Sequence, residues 1–279
     1  MDRSPFSNIL YIMAIKRLGQ HFLKDESVLR KTADILEIGQ DETVVEIGPG
    51  HGELTKYLLQ KNPRRIIALE KDPKLAGSLY KNLGLGENDP RLEVITGDAL
   101  ELLPELLKKG GLGEKYKIAG NIPYYITGYL LRIVSELEPK PRLVALVIQK
   151  EVAERLSALP PRMNLLSAST RFWSEPEIIR RIGAKSFSPP PKVDSALVLF
   201  KTLDKKPDID PAAYYSFIRK LFKQPRKTIF NNISAGGTQE ERGETKTKLA
   251  ALGIELNQRP ETLGIEEITG LAREFPEIR

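Results

Sequence analysis

The segment Gly120-Asn121-Ile122-Pro123-Tyr124-Tyr125 combines residue types that can activate a nucleobase amine. Such an amine is a poor nucleophile because its lone pair is delocalised into the ring. The Asn121 side-chain oxygen and the Ile122 carbonyl can each accept one amine hydrogen and so localise the lone pair. Pro123 would hold these acceptors rigidly, and Tyr124 could stack on an extruded base. The segment predicts group transfer to an adenine amine, although in isolation it also fits a proline turn with a buried aromatic ring.

A glycine-rich turn, Glu46-Ile47-Gly48-Pro49-Gly50-His51-Gly52, joins a β-branched run to a helical pattern. Glycines at the end of a strand let the backbone approach a ligand closely. The carboxylates of Glu46 and Glu53 would repel a pyrophosphate, and the sequence lacks the Gly-Lys-Ser/Thr signature of phosphate loops. A nucleoside cofactor without phosphates is therefore favoured. S-adenosylmethionine, with its sulfonium cation, amino acid head and adenosine, satisfies this requirement.

Acidic residues also end the next two predicted strands. Glu70 lies 22 positions after Gly48, where a carboxylate in this architecture accepts hydrogen bonds from ribose hydroxyls. Asp98 could accept from the adenine amine of the cofactor. Taken singly, the turn could be a tight connection, Glu70 a surface charge and Asp98 a helix N-cap. Their positions at the ends of three successive strands favour a cofactor site that includes Gly48 and Gly50.

These residues require a sheet that brings strand ends together. Short β-branched runs at Thr43–Ile47, 66–69, 92–95, 117–119 and 143–148 alternate with helix-length segments. Several runs are apolar without alternation, as in a parallel sheet that is covered on both faces, so the predicted fold is a doubly wound, Rossmann-like α/β domain. Runs at 178–182 and 196–202 predict an antiparallel hairpin at a sheet edge. After a linker at 204–211, helical patterns predict a small C-terminal domain, so the expected domains are 1–203 and 204–279.

Composition excludes several classes of function. The 279-residue chain has no cysteine and two histidines, His21 and His51, so we expect no disulfide and no metal site built on these residues. Its longest apolar stretches, at 9–15 and 143–148, are shorter than the roughly 20 residues of a membrane span. The first stretch lacks a following cleavage site, which argues against a signal peptide. We therefore expect a cytoplasmic protein, and a monomer.

The positive charge is concentrated in one part of the chain. The net charge is +6, yet the stretch from Arg180 to Thr228 has twelve basic and four acidic residues. Such a run could be an ordinary solvated face, or it could contact the phosphates of a nucleic acid. The residues predicted to contact RNA are Lys192, Arg219, Lys223, Arg226 and Lys227.

Several segments together resemble the ribosomal RNA adenine N6,N6-dimethyltransferases, specifically the small-subunit dimethyladenosine transferases. They are 16–23 (KRLGQHFL), 46–52 (EIGPGHG), 121–125 (NIPYY), 149–155 (QKEVAER) and 187–196 (FSPPPKVDSA). The resemblance covers roughly residues 16 to 233. It implies methylation of two adjacent adenosines in a hairpin loop near the 3′ end of small-subunit ribosomal RNA, within an assembling ribosomal particle.

The resemblance also implies roles for individual residues. The cofactor contacts would be His21, Leu23, Gly48, Glu70, Asp98 and Asn121. The target base would lie between Tyr124 and Phe187, although a core aromatic is the simpler interpretation of Phe187 taken alone. Because relatives commonly have asparagine at the position of His21, that residue is expected to act through its backbone or one ring nitrogen.

Two features depart from the family pattern. The turn at 160–165 (PPRMNL) replaces an expected glycine- and tyrosine-containing turn. The family usually begins near Lys16, so Met13 is a candidate for the true start of translation.

Three other functions compete with this interpretation. A large-subunit adenine methyltransferase of the macrolide-resistance type shares the catalytic motif, but the segments at 189–196 and 224–232 look more like small-subunit enzymes. A non-catalytic factor on the same fold would not need Glu70, Asp98 and Asn121. A DNA adenine methyltransferase also uses an Asn-x-Pro-Tyr motif.

Overall fold

A computed structural model describes residues 20–86 and 89–276 of the chain. The segment that precedes Gln20, with the candidate start Met13 and the first part of the 16–23 motif, lies outside the described residues. Among the described residues, no helix combines the length and the apolar character that crossing a membrane requires.

The first part of the chain alternates strands and helices around one central sheet. The strands of this sheet are β2 (Thr43–Ile47), β3 (Arg65–Glu70), β4 (Leu92–Thr96), β5 (Tyr116–Asn121), β6 (Leu143–Gln149), β7 (Ser174–Ile182) and β9 (Ser195–Thr202). A separate two-stranded sheet pairs β1 (Phe22–Leu23) with β8 (Phe187–Ser188). The helices are α1 (Glu26–Asp34), α2 (Thr55–Leu59), α3 (Pro73–Leu83), α4 (Ala99–Lys108), α5 (Thr127–Glu136), α6 (Lys150–Leu156) and α7 (Leu165–Arg171).

The order of strands in the seven-stranded sheet is β4-β3-β2-β5-β6-β9-β7. Strands β2 to β6 pair in parallel, and β9 runs antiparallel to β6. The chain moves outward from β2 through β3 to β4 and then returns to the other side of β2 to form β5. This reversal creates a crevice at the carboxyl ends of β2 and β5, which is where open α/β sheets bind ligands.

The central strands are buried because both of their faces are covered. All five residues of β2 are buried, and so are Ile66 to Glu70 of β3. This explains why these strands lack polar alternation in the sequence. One charged pair lies inside: Lys117 of β5 donates to Glu42 at 2.5 Å and to the Glu37 carbonyl at 2.7 Å, and both charged side chains are 4% exposed. The mutual pairing satisfies two charges that would be costly to bury singly.

The strands β9 and β7 are neighbours at one edge of the sheet, as their sequence patterns predict. The connection between them differs from a simple hairpin. It contains a 3₁₀ turn at Ala184–Ser186 and the short strand β8, which pairs Phe187 with Leu23. Strand β7 also begins at Ser174, four residues before the predicted run.

The chain divides into two compact units. One comprises the described residues up to Ala153 together with Glu177–Thr202, and the other comprises Glu154–Pro176 together with the chain from Leu203 onward. The expected division into 1–203 and 204–279 therefore needs a correction, because 154–176 belongs to the second unit. Met163, Ala168 and Phe172 of this segment pack in the same apolar cluster as Phe217 and Leu271, a contact that the order of residues along the chain does not predict.

The remainder of the second unit is helical. Its helices are α8 (Pro211–Leu221), α9 (Ile229–Ile233), α10 (Gln239–Ala251) and α11 (Ile265–Glu274). Asp210 caps α8 by accepting from Ala213 N at 3.0 Å, and Thr238 and Glu241 form a reciprocal capping box at the start of α10. Tyr214 of α8 and Ile268 of α11 are buried in the apolar core of this unit, whereas Leu252, just past the end of α10, is 40% exposed.

Candidate active site

A cleft of about 980 Å³, part of it open to solvent, lies at the carboxyl ends of β2, β3 and β5 in the first unit. The sequence-predicted residues that line it are His21, Leu23, Gly48, Gly50, Glu70, Asp98, Asn121, Pro123 and Tyr124. The fold therefore brings together residues as far apart in the chain as His21 and Tyr124.

The glycine turn after β2 forms one wall of the cleft. Gly48 and Gly50 have φ angles of +67° and +61°, a left-handed conformation that disfavours other residues. A Cβ atom on Gly50 would lie 2.9 Å from the Phe22 ring. The turn thus needs glycine at position 50 both for its backbone conformation and for the close approach of Phe22.

A second close approach joins the two central strands. A Cβ atom on Gly120, in β5, would lie 2.6 Å from the carbonyl oxygen of Ile47, in β2. No side chain fits between these strands at this level. Gly120 therefore sets the distance between the glycine turn that follows Ile47 and Asn121, which ends β5.

Glu70 is a buried carboxylate at the end of β3, not the surface charge that its sequence position alone would allow. It is 4% exposed. Its Oε2 accepts from Gly50 N at 3.1 Å, and its Oε1 accepts from Asp72 N at 2.9 Å. Burial raises the pKa of Glu70, and the two backbone donors partly oppose that shift. Each oxygen retains a lone pair that a ligand hydroxyl could use.

Asp98 caps α4 and also lines the cleft, so both sequence-based interpretations of its position are compatible. Its Oδ1 accepts from Leu100 N at 3.0 Å, and its Oδ2 accepts from Lys71 Nζ at 2.7 Å. The Lys71 ammonium lowers the pKa of Asp98, so the carboxylate is charged at neutral pH. A ligand that contacts Asp98 would meet an acceptor held in place by the helix end.

Glu46 is fully buried in β2, and its side chain borders the cleft. Within residues 20–86 and 89–276, its Oε2 has no hydrogen-bond partner. Burial, reinforced by the negative charges of Glu53 and Glu70, raises the pKa of Glu46 to about 8. The buried Oε2 of Glu46, close to the carboxylates of Glu53 and Glu70, favours a ligand that carries positive charge.

Asn121 is oriented by the backbone of residue 21. Its Nδ2 donates to the His21 carbonyl at 2.8 Å, so the amide group turns Oδ1 to the opposite side as an acceptor. The expectation that His21 contacts a cofactor through its backbone or one ring nitrogen stays a prediction. The His21 ring is held separately, with Nδ1 2.8 Å from the Pro189 carbonyl oxygen.

Tyr124 is fixed at its hydroxyl end by the first residue of β9. Its Oη lies 2.7 Å from Oγ of Ser195, which is fully buried. Burial raises the pKa of Tyr124, so the phenol is neutral at physiological pH. The His21 ring lies nearly parallel to the Tyr124 ring, with their centroids 6.2 Å apart and an interplanar angle of 25°. Tyr124 therefore presents a positioned aromatic face at the cleft.

The structure does not bring Phe187 to this cleft, and the expected placement of a base between Tyr124 and Phe187 needs a correction. Phe187 is 4% exposed and packs in the core cluster with Leu23 and Leu29. The pairing of β1 with β8 holds it there, opposite Leu23. The pairing of these two distant segments therefore makes Phe187 a buried core residue.

The residues predicted to contact RNA are all exposed. Lys192 belongs to the first unit, whereas Arg219, Lys223, Arg226 and Lys227 belong to the second, where α8 ends and a loop begins. We call these four residues the basic loop. Within the described part of the chain, none of their side chains forms an ion pair. Their charges are therefore available to an external anion.

Sequence reasoning missed several residues that shape these sites. Ser195 and Lys71 fix Tyr124 and Asp98, and Asn232 fixes the basic loop. The Asn232 side chain is 4% exposed, accepts from Gln224 N at 3.1 Å and donates to the Gln224 and Thr228 carbonyls. Lys71 could have been suspected from its place beside Glu70. No spacing in the sequence links Ser195 to Tyr124, 71 residues away.

Comparison with known proteins assigns the chain to a family. A family model described as ribosomal RNA adenine dimethylase matches residues 13–275. The chain belongs to the ribosomal RNA adenine dimethylase family. The resemblance seen in the sequence motifs is thereby confirmed.

Curated relatives of this adenine dimethylase cover almost its whole length. The chain is 36% identical over 263 residues to the ribosomal RNA small subunit methyltransferase A of Dehalococcoides mccartyi, which covers 92% of this chain and 86% of the relative. It is also 36% identical over 269 residues to the protein of the same name from Geobacter metallireducens. That match covers 94% of this chain and 95% of the relative.

Solved structures confirm the predicted fold class. A dimethyladenosine transferase from Plasmodium falciparum superposes with a TM-score of 0.79 at 23% identity, over 92% of this chain and 98% of the other. The 23S rRNA methyltransferase ErmE superposes with a TM-score of 0.70 at 26% identity, over 90% of this chain and 98% of the other. This adenine dimethylase has the Rossmann-like fold of S-adenosylmethionine-dependent methyltransferases.

Proposed function

We propose that this protein is an S-adenosylmethionine-dependent enzyme that dimethylates adenine N6 amines in small-subunit ribosomal RNA. Its substrate would be two adjacent adenosines in a hairpin loop near the 3′ end of that RNA. We infer that it acts as a cytoplasmic monomer on an assembling ribosomal particle. The curated relatives named ribosomal RNA small subunit methyltransferase A support the choice of subunit.

One observation carries the chemical part of the proposal. The acceptor segment at Asn121 to Tyr124 and the acidic groups of the glycine turn line the same cleft at the switch point of the sheet. An amine acceptor and a nucleoside site must be neighbours for a group to pass directly between them. The close approach of Gly120 to Ile47 keeps the acceptor segment next to the glycine turn.

The residues of the cleft fit a cationic nucleoside cofactor. The unpartnered oxygen of Glu46 and the carboxylates of Glu53 and Glu70 favour positive charge and disfavour phosphates. Glu70 would accept from ribose hydroxyls, and Asp98 would accept from the adenine amine. When bound, S-adenosylmethionine supplies an electrophilic methyl group on its sulfonium.

The chain itself prepares the amine that receives the methyl group. Asn121 Oδ1 and the Ile122 carbonyl would each accept one hydrogen of the adenine N6 amine, which turns the nitrogen lone pair toward the methyl donor. Pro123 limits motion of these acceptors, and Tyr124, anchored by Ser195, offers a stacking face for the base. The amine loses its proton after methylation, when it is acidic, so water can take up that proton.

The basic loop would position the RNA through its phosphates. Four exposed cations between positions 219 and 227 match the sequence-independent part of nucleic-acid binding, while the cleft selects the base. The buried side chain of Asn232 holds the backbone of this loop, so the cationic side chains extend from a backbone of fixed conformation.

Transfer of labelled methyl groups to ribosomal particles tests the proposal. Purified particles of each subunit, isolated without this modification, would be incubated with the protein and labelled S-adenosylmethionine, and the modified adenines would be mapped. We expect label on two adjacent adenosines of the small-subunit RNA, with two methyl groups on each. Label confined to large-subunit RNA would instead support the activity named for ErmE, and no label on either would contradict the proposal.

A further inference from the structure

Two tyrosines project from the exposed face of the region that follows the acceptor segment. Tyr125 is 58% exposed and Tyr129 is 67% exposed. Among the large apolar side chains that are exposed in residues 20–86 and 89–276, these two are the aromatic ones. Exposed apolar groups that lie together can mark an interaction site, whereas isolated ones are ordinary on a protein surface.

Tyr125 lies in a 3₁₀ turn, Tyr124–Ile126, immediately before α5, and Tyr129 and Arg132 lie on one face of the helix itself. Tyr125 precedes α5 by two residues, Tyr129 follows four positions later, and Arg132 three positions after that. Residues three or four apart on a helix are neighbours, with roughly 5–6 Å between their Cβ atoms. Among the described residues, and apart from the helix itself, no atom lies within 4 Å of the place where a Cβ on Gly128 would stand, so the helix surface between the tyrosines is open.

The opposite face of α5 anchors the helix. Leu130, Leu131 and Val134 are buried, so the exposed face is held by the core of the first unit. Arg132 is exposed, and its Nε donates to Glu136 at 3.1 Å, an interaction between solvent-exposed groups that leaves the other guanidinium donors free to bind an anion.

This face continues directly from the cleft. Tyr125 lines the cleft beside Tyr124, whereas Tyr129 does not line it. A nucleotide strand that leaves the cleft at Tyr124 would therefore meet Tyr125 first and Tyr129 next. Proteins bind single-stranded RNA by stacking successive bases on aromatic rings beside a cation that contacts the backbone.

We propose that Tyr125, Tyr129 and Arg132 form a stacking platform for the nucleotides that flank the target adenosine. This inference rests on the proposed function, since it assumes that single-stranded RNA enters the cleft. The two rings would stack on flanking bases, and Arg132 would contact a phosphate. An apolar protein partner is less well matched, because an arginine shares the face and the face is continuous with the base site.

A fluorescent oligonucleotide tests the platform with the full chain. The probe is a short single-stranded oligoribonucleotide with two adjacent adenosines and 2-aminopurine, whose fluorescence is quenched by stacking, at the flanking position. Tyr129→Ala should weaken its binding about five- to tenfold and relieve the quenching, while the affinity for S-adenosylmethionine stays the same. With small-subunit particles as substrate, the KM for RNA should rise and kcat should change little.

Two further variants separate stacking from other effects. Tyr129→Phe retains the ring and should restore both affinity and quenching. Leu159→Ala, which removes a side chain as exposed as Tyr125 at 58%, should leave the wild-type values. Unchanged cofactor affinity in each variant also reports that the first unit is folded.

The outcomes distinguish the platform from the proposed function. If Tyr129→Ala binds the probe like the wild-type protein, or if Tyr129→Phe is as defective as Tyr129→Ala, the platform is wrong even where ribosomal RNA is methylated. Failure of the wild-type protein to bind the probe would also overturn it. If Tyr129 controls quenching but small-subunit particles receive no methyl groups, the platform stands and the proposed substrate is wrong.

Discussion

The cleft of the first unit and the basic loop of the second are built in opposite ways. In the cleft, Glu70, Asp98 and Asn121 each have a polar group committed to the protein, and the adjoining backbone is fixed by glycines. In the basic loop, the functional groups are exposed cations without ion pairs among the described residues, and only the backbone is held, by Asn232. In the cleft, the positions of individual polar atoms are fixed. In the basic loop, only the backbone is fixed, and the charged side chains can move.

The difference follows from what each region must bind. Direct transfer of a methyl group depends on geometry, so small displacements of the acceptor are costly. Phosphate contacts depend mainly on charge and tolerate movement of long side chains. Substitutions of Glu70, Asp98 and Asn121 should therefore change catalysis or cofactor affinity and spare RNA binding, and substitutions in the basic loop should do the reverse.

The largest expected effect is that of Asn121→Ala. Loss of the acceptor that orients the amine should lower the rate of methyl transfer by about 10²–10³, as for other single lost transition-state contacts. Affinity for RNA particles should be unchanged, and cofactor affinity should fall much less than the rate. Single-turnover transfer of labelled methyl groups measures the rate. A rate near that of the wild-type protein would show that Asn121 is not the acceptor.

Glu70→Ala should weaken cofactor binding by about ten- to hundredfold, since hydrogen bonds to a charged acceptor contribute about 1.5–3 kcal/mol. It also leaves the amides of Gly50 and Asp72 without their acceptor. Titration calorimetry with S-adenosylmethionine measures the affinity. Glu70→Gln, which keeps one oxygen acceptor, serves as the matched variant. Its cofactor affinity should lie between that of the wild-type protein and that of Glu70→Ala. Wild-type affinity in Glu70→Ala would contradict a ribose-binding role.

Replacement of the four basic-loop residues by alanine should weaken RNA binding. The residues are Arg219, Lys223, Arg226 and Lys227. Each lost phosphate contact lowers the slope of log affinity against log salt concentration by about 0.7–0.9. Binding to small-subunit particles should weaken and lose much of its salt dependence, while calorimetry should give the wild-type affinity for the cofactor. If slope and affinity both matched the wild-type protein, the basic loop would be an ordinary solvated face.

A separate effect, on stability and not on binding or catalysis, concerns the pH dependence of unfolding and isolates Glu46. Because its folded pKa of about 8 lies above its ordinary value of 4.5, Glu46 binds its proton more tightly in the folded state. That contribution to stability is complete below pH 4.5 and is lost as pH rises through 8, at up to about 1.4 kcal/mol per pH unit. Glu46→Gln should remove this loss. Denaturant unfolding of both proteins at pH 5 and pH 8 measures it, and identical pH dependence would show that Glu46 is charged in the fold.

Local sequence patterns were sufficient for the elements of the first unit and for most of its cleft. Uninterrupted apolar runs predicted the buried parallel strands, and residues at strand ends predicted cofactor contacts, because parallel strands bring their carboxyl ends to one edge of a sheet. The second unit was only partly predictable. Its helices follow from apolar periodicity, but the inclusion of 154–176 depends on packing of Met163 and Phe172 that no local pattern encodes.

By itself, the sequence determined the order of elements, the family motifs and the chemical types available at the cleft. The tertiary structure alone decided which atoms of those residues remain available. It buried Phe187 opposite Leu23, turned the Asn121 amide toward the His21 carbonyl, joined Tyr124 to Ser195 and left Oε2 of Glu46 without a hydrogen-bond partner among the described residues. The physical reason is that hydrogen bonding and burial depend on contacts between segments far apart in the chain, whereas strand and helix patterns depend on neighbours.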